Sequence, residues 1–252
     1  MIMSPTGATK STASEEEVAR FTAIADSWWD TTGNFAPLHK LNPPRVQFIR
    51  DHLCTHFERD PMTDKPLAGL EIIDIGCGGG LLCEPMARLG ATVTGIDAGE
   101  ENIAVAKTHA ANMGLDITYR RVLPEELGNE TTRFDVVLNM EVVEHVSDLD
   151  LFLESSAGVM KPGGVMVVST LNRTLKSLAL AKIGAEYILR WVPAGTHDWQ
   201  KFVRPSELFD GLQPHGVEIR DFKGVRFDPI RNTWTLCDDL AVNYMAMGIK
   251  RS

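Results

Sequence analysis

The chain is short of cysteine: Cys54, Cys77, Cys83 and Cys237 are the only four among 252 residues. No two form a CxxC pair and none stands at Cys/His zinc spacing. Disulfide scaffolds and zinc modules are therefore excluded, and reduced thiols in a cytosol-like compartment are expected. Basic residues are also scarce relative to acids. Lys plus Arg total 25 against 34 Asp plus Glu, for a formal net charge of -9. Phosphate contacts need clustered cations, so no nucleic-acid partner is expected. No stretch approaches ~18 charge-free apolar residues, so no membrane span is expected. The start lacks the basic residues and apolar centre of a signal peptide, and it is too acidic for a transit peptide. Residues 1–14 are expected to be a disordered tail.

What is present is enough apolar residue, 44%, for a packed core. Residues 15–252 are expected to form one domain. Helical spacing of Val18, Phe21, Ala25 and Trp28 opens an N-terminal helical cap over 15–60. A second helix is expected to start near Asn42-Pro43-Pro44, where Asn suits a cap and Pro the first turn. From Leu70 the pattern changes. Five apolar runs, Glu71–Ile75, Thr92–Ile96, Ile117–Arg121, Phe134–Leu138 and Gly164–Thr170, alternate with helical segments. That alternation predicts a parallel α/β sheet covered on both faces. Two late runs, Val217–Val225 and Val242–Ile249, bring the strands to seven and include one antiparallel edge strand. Pro205–Leu212 reads as a capped helix. Residues 172–203 read as a lid or membrane-facing insertion.

The strongest motif is Ile72-Ile73-Asp74-Ile75-Gly76-Cys77-Gly78-Gly79-Gly80, a strand running into a helix. Four glycines in five residues would destabilise an idle turn, and they let a ligand approach the main chain. A nicotinamide dinucleotide fingerprint would be G-x-G-x-x-G, but its third position holds Leu81. Asp97 ends the second strand about 20 residues further on, the placement that serves a ribose diol. The plainer role for Asp97 is a helix cap.

The Asp74 to Gly80 turn resembles the first motif of class I S-adenosylmethionine-dependent methyltransferases. Phe134 to Glu141 and Met160-Lys161-Pro162-Gly163-Gly164 look like their fourth strand and the turn before the fifth. Other segments narrow the match: Trp28-Trp29-Asp30, Pro37 to Pro43, Glu141-Val142-Val143-Glu144-His145-Val146, Ser169 to Arg173, Gly184 to Arg190, Val192 to Trp199 and Val242 to Met245. Together, from about Glu15 to Ile249, the chain resembles the ubiquinone-biosynthesis O-methyltransferases, which methylate polyprenyl hydroxyphenols and demethylubiquinol. The resemblance implies a Rossmann-like class I methyltransferase fold. It implies donor contacts at Arg45, Gly76, Asp97 and Met140. Asp74 and Gly78 belong to the donor turn, with Asp74 near the donor's ammonium.

The implied reaction is an in-line attack of a phenolic oxygen on the sulfonium methyl. A phenol with pKa ~10 sits about three units above neutral pH, or ~4 kcal/mol. A base or a metal could cover that gap. His145 is the first candidate base and His197 the second. Glu141, Glu144 and His145, three and four residues apart, could instead hold Mg²⁺ or a similar cation. Both readings stay open on sequence. The implied acceptor, a polyprenyl phenol or quinol, points to a peripheral contact with the cytoplasmic membrane face and to partners in a ubiquinone-biosynthesis complex. Ser177–Val192 has an apolar arc and a polar stripe of Lys182, Glu186 and Arg190, which suits either an interfacial helix or a lid. A methyltransferase for another small phenol and a non-catalytic scaffold are the competing readings. Intact Asp74, Gly76, Gly78 and Asp97 argue against the scaffold.

Overall fold

The computed structural model describes residues 11–179, 198–228 and 230–252. Its strands are β1 Glu71–Ile75, β2 Thr92–Asp97, β3 Ile117–Arg121, β4 Phe134–Met140, β5 Met160–Leu171, β6 Val217–Asp228, β7 Thr233–Cys237 and β8 Asn243–Lys250. They form one sheet in the order β3-β2-β1-β4-β5-β8-β6-β7. β1 to β5 run parallel. β8 lies antiparallel between β5 and β6, and β7 closes the edge antiparallel to β6. The sheet therefore has eight strands among the described residues, not the expected seven. The additional strand is β7, Thr-Trp-Thr-Leu-Cys. Five residues with only Trp234, Leu236 and Cys237 apolar give too little periodicity to be read as a strand.

The helices are α1 Glu15–Thr22, α2 Ala36–His56, α3 Cys83–Arg88, α4 Glu100–Asn112, α5 Leu149–Gly158, the single turn α6 Leu175–Ser177 and α7 Pro205–Leu212. One face of the sheet packs on Phe48, Ile49 and Leu53 of α2, Met86 of α3 and Ala106 of α4. The other packs on Phe152 and Leu153 of α5 and on Leu208 and Leu212 of α7. Both faces are covered, so β1 carries buried apolar residues on each side: Ile72, Ile73 and Ile75.

Two further expectations need correction. α2 begins at Ala36, not near Asn42, and runs straight through Pro43 and Pro44. Each interior proline removes a helix donor and costs about 3 kcal/mol. The helix persists because it buries Leu41, Pro44, Phe48, Ile49 and Leu53 along one side. Asn42 is no cap; its side-chain amide donates to the Leu81 carbonyl at 2.7 Å. The second correction concerns the start of the chain. Thr12 is buried and donates from both its amide and its hydroxyl to the Glu125 carboxylate, each at 2.8 Å. Its carbonyl accepts from Ser147 N at 2.9 Å. Residues 11–14 are thus docked to the domain and are not part of a tail.

Candidate active site

β1, β2 and β4 end together at a cavity of about 870 Å³ with mostly apolar walls. That places it beyond the carboxyl ends of the strands, where open α/β sheets bind ligands. Parallel strands deliver their last side chains to one rim, so Asp74, Asp97 and Met140 all line the cavity.

The glycine turn is fastened to β2: the amides of Gly76 and Cys77 both donate to the Ile96 carbonyl, at 2.8 and 2.9 Å. Gly76 has φ +74° and Gly78 φ +52°. A Cβ at Gly76 would lie 2.7 Å from Val142 Cγ2, and one at Gly78 would lie 2.3 Å from the Trp28 ring. Gly78 and Gly79 thus make room for protein as well as for ligand. Trp28 lies across the turn, donates from Nε1 to Asn102 Oδ1 at 2.9 Å and stacks on Phe35 at 3.8 Å. Trp29 donates to the Gly79 carbonyl at 3.0 Å and stacks on His109 at 3.4 Å. Sequence reasoning did not assign this tryptophan pair to the site. The signal was available in two adjacent large aromatics just before a glycine-rich domain, but nothing local says where they pack.

Asp97 accepts from Gly78 N at 2.9 Å on one oxygen, and from Gly99 N at 2.7 Å and Asn102 Nδ2 at 3.0 Å on the other. It ties the start of α4 to the glycine turn and still faces the cavity, but it is not the helix cap the sequence suggested: the N-cap of α4 is Gly99, whose own amide Asp97 accepts from. Burial pushes its carboxyl up, and these three donors hold it down. Asp74 is buried and accepts from Cys83 Sγ at 3.2 Å. Burial pushes it up to about 7, against the Cys83 hydrogen bond and the charge of Arg45.

Arg45, from α2, is 3% exposed. Its Nη2 stands 2.9 Å from Glu141 Oε1. The approach is poorly aligned for a hydrogen bond, so Nε and Nη2 both lack an acceptor. A buried guanidinium with donors unmet is costly unless a ligand completes it. Met140 ends β4 and is buried at the cavity wall. Glu141 follows in the left-handed region, φ +57°. The Ser169 hydroxyl donates to its carboxylate. Glu144 is buried, accepts from Thr170 Oγ1 at 2.7 Å, and is raised to about 7 by burial and then by the charge of Glu141. His145 Nδ1 lies 3.1 Å from Glu17 Oε2 of α1, and its ring meets Phe21 edge-on at 5.1 Å.

The structure thus gathers Arg45, Asp74, Gly76, Gly78, Asp97, Met140, Glu141, Glu144 and His145 around one cavity. It does not gather the expected metal triad into a cage. Glu141 turns to Arg45 and Ser169, Glu144 to Thr170 and His145 to Glu17. No three acidic, His or Cys side chains among the described residues stand in a metal-holding arrangement. His197 lies outside the described residues, as does Ser177–Val192 beyond residue 179.

Residues 73–168 match a family model described as a methyltransferase domain. A ubiquinone biosynthesis O-methyltransferase of Sinorhizobium medicae is 55% identical over 236 residues, covering 94% of this chain and 95% of that one. One of Paramagnetospirillum magneticum is 53% identical, covering 95% and 96%. The chain belongs to the ubiquinone biosynthesis O-methyltransferase family. As a member it is an S-adenosylmethionine-dependent O-methyltransferase. Its fold agrees with solved methyltransferases. Magnesium protoporphyrin IX methyltransferase from Synechocystis, with bound S-adenosylhomocysteine, aligns with a TM-score of 0.59 at 18% identity over 93% of each chain. An S-adenosylmethionine-dependent methyltransferase of Thermotoga maritima gives 0.60 at 15% identity, over 94% of this chain and 99% of that one.

Proposed function

We propose that this enzyme transfers the methyl group of S-adenosylmethionine to a phenolic oxygen of polyprenyl ubiquinone precursors, 2-polyprenyl-6-hydroxyphenol and 3-demethylubiquinol. The observation that carries the reading is the cavity itself. Charged and polar residues stand at the β1–β2 end, and the same cavity continues between apolar walls. A charged nucleoside and a lipid-like phenol need that combination.

In this reading Asp97 takes the donor's ribose, Asp74 its ammonium and Arg45 its carboxylate. The unmet Nε and Nη2 of Arg45 support the last assignment. Gly76 and Gly78 bring main chain up to the donor, and Met140 packs beside the adenosine. Holding oxygen and methyl about 3 Å apart supplies a large part of the rate. His145 takes the phenolic proton at Nε2. Glu17, 3.1 Å from Nδ1, is placed to accept the other ring N–H, with Arg20 Nη2 3.4 Å from the same nitrogen. His197 remains the second candidate.

A divalent cation on Glu141, Glu144 and His145 belongs to the same proposal. Its support is the Glu-x-x-Glu-His pattern itself; as the described side chains stand, the three do not converge on one point, and Glu144 is raised by burial first and by the charge of Glu141 second. A donor carboxylate on Arg45 would release Glu141 from that arginine. Such a cation would lower the pKa of the acceptor hydroxyl. No helix among the described residues is long and apolar enough to cross a membrane. The acceptor's apolar chain nevertheless requires the enzyme to work at a membrane surface or beside a partner of the pathway.

The test is a methyl-transfer assay on both polyprenyl acceptors, before and after chelator treatment. Turnover of either acceptor supports the reading, and turnover of neither by folded, donor-binding enzyme ends it. Full activity in chelator removes the cation.

A further inference from the structure

The cavity extends well past the point of methyl transfer. From Asp97 on β2 it passes Asp74, Met140 and Leu171 and reaches Val225, Phe227 and Trp234 on the β6–β7 hairpin. That path crosses six strand spacings, roughly 25–30 Å at about 4.8 Å each. Its ends differ in chemistry. Asp74, Asp97 and Arg45 make the β2 end polar. At the hairpin end, Pro37, Leu38 and Leu41 of α2 and Val225, Phe227 and Trp234 all line the cavity.

The hairpin wall is built, not incidental. Phe227 and Trp234 are register partners with ring centroids 5.3 Å apart, and Val225, two residues along β6, shares their face. Leu38 and Trp234 pack on the same apolar cluster, which includes Leu41 and Val225. Lys40 Nζ reaches Asn232 Oδ1 at 3.1 Å, tying α2 to the hairpin turn. Three charged residues line this end: Lys176 and Asp239 pair with each other at 2.5 Å, and Arg226 is exposed.

We propose that this second half of the cavity is the subsite for the acceptor's isoprenoid chain, with its first units held between α2 and the β6–β7 hairpin. The inference rests on the acceptor being a polyprenyl phenol. The donor takes the β1–β2 end, so the phenol ring must lie over β4 and β5, between Met140 and His145. Among the described residues, the apolar lining runs on from there past Leu171 to the hairpin, a direction that leads away from the donor. β7, the strand beyond the expected seven, supplies Trp234 to that wall.

The experiment compares wild type with Trp234→Ala and the milder Phe227→Ala. Each is assayed on a short-chain prenylated hydroxyphenol and on the same phenol without its chain. Donor-site integrity is read by calorimetric binding of S-adenosylhomocysteine, and folding by the thermal transition. The chain subsite predicts that KM for the prenylated acceptor rises about tenfold, while kcat/KM for the chain-free phenol and product affinity stay within about twofold. Equal losses on both acceptors, or no change on either, would overturn it, as would a wild type that treats the two acceptors alike. A wild type that binds S-adenosylhomocysteine but methylates neither acceptor overturns the acceptor reading and takes this one with it.

Discussion

At the scale of single residues, the site is a problem of buried charge. Asp74, Arg45 and Glu144 are buried and Asp97 is half-buried, and each has a partner present or expected. Asp74 makes the most direct prediction. Burial lifts its carboxyl from 3.8 to about 7. An acid whose folded pKa is raised contributes stability that is present below its unfolded pKa and lost as pH rises through the folded one. A donor ammonium beside it favours the ionised form. Donor affinity should therefore increase as pH rises toward about 7, by at most about tenfold per unit, and level off above. Asp74→Asn should bind more weakly and with a flat profile in this range. Calorimetry across this range checks it, and an unchanged slope in the variant would assign the titration to another group. The acids of this site were legible in the sequence because they sit at strand ends in a recognisable motif. The Glu17–His145 contact was not, because it joins residues 128 apart that share no local pattern.

At the scale of elements, periodicity was informative wherever an element buries a regular face. β1, β3 and α7 fall on the boundaries read from their sequences. The reading failed where tertiary packing overrides local preference. Prolines at 43 and 44 look like a helix start, yet α2 absorbs them into a buried interior. β7 is too short to announce itself and exists because β6 and α2 flank it. The link between Trp28 and the glycine turn is of the same kind, two elements meeting over residues that neither specifies alone. It predicts a graded response. Trp28→Ala leaves a hole above Gly78 and Gly79 and should cost about 3 kcal/mol of unfolding free energy. It should also weaken donor binding, because the turn loses the ring that braces it. Trp28→Phe retains an aromatic face for Phe35 but loses the Asn102 hydrogen bond, worth about 1 kcal/mol. Urea unfolding of the pair, with donor affinity measured on each, separates bracing from hydrogen bonding. Equal affinity in all three proteins would mean that the turn holds its shape unaided.

At the scale of the whole molecule, the cavity is walled by distant parts of the chain, from Thr12 through Arg45 and Asp97 to Asn243. Thr12 is held at its wall by Glu125, and α1 by the Glu17–His145 contact. No subset of these segments makes the site alone, so ligand binding and folding should be coupled across the full domain. A ligand that binds only the native state stabilises it by RT ln(1 + [L]/Kd), about 2.7 kcal/mol at a hundredfold excess over Kd. For a chain of this length each kcal/mol shifts the midpoint by about 2–4 °C. S-adenosylhomocysteine at that excess should therefore raise a single thermal transition by roughly 5–10 °C. Hydrogen exchange under the same conditions should slow in residues 12–35 along with the glycine turn, because Trp28 and Trp29 join the two. Removing residues 1–35 should abolish most of the shift even though all eight strands remain. A truncated chain that keeps the full shift would show that the sheet binds the donor without its N-terminal cover, and the coupling argued from Trp28, Trp29 and Thr12 would fail.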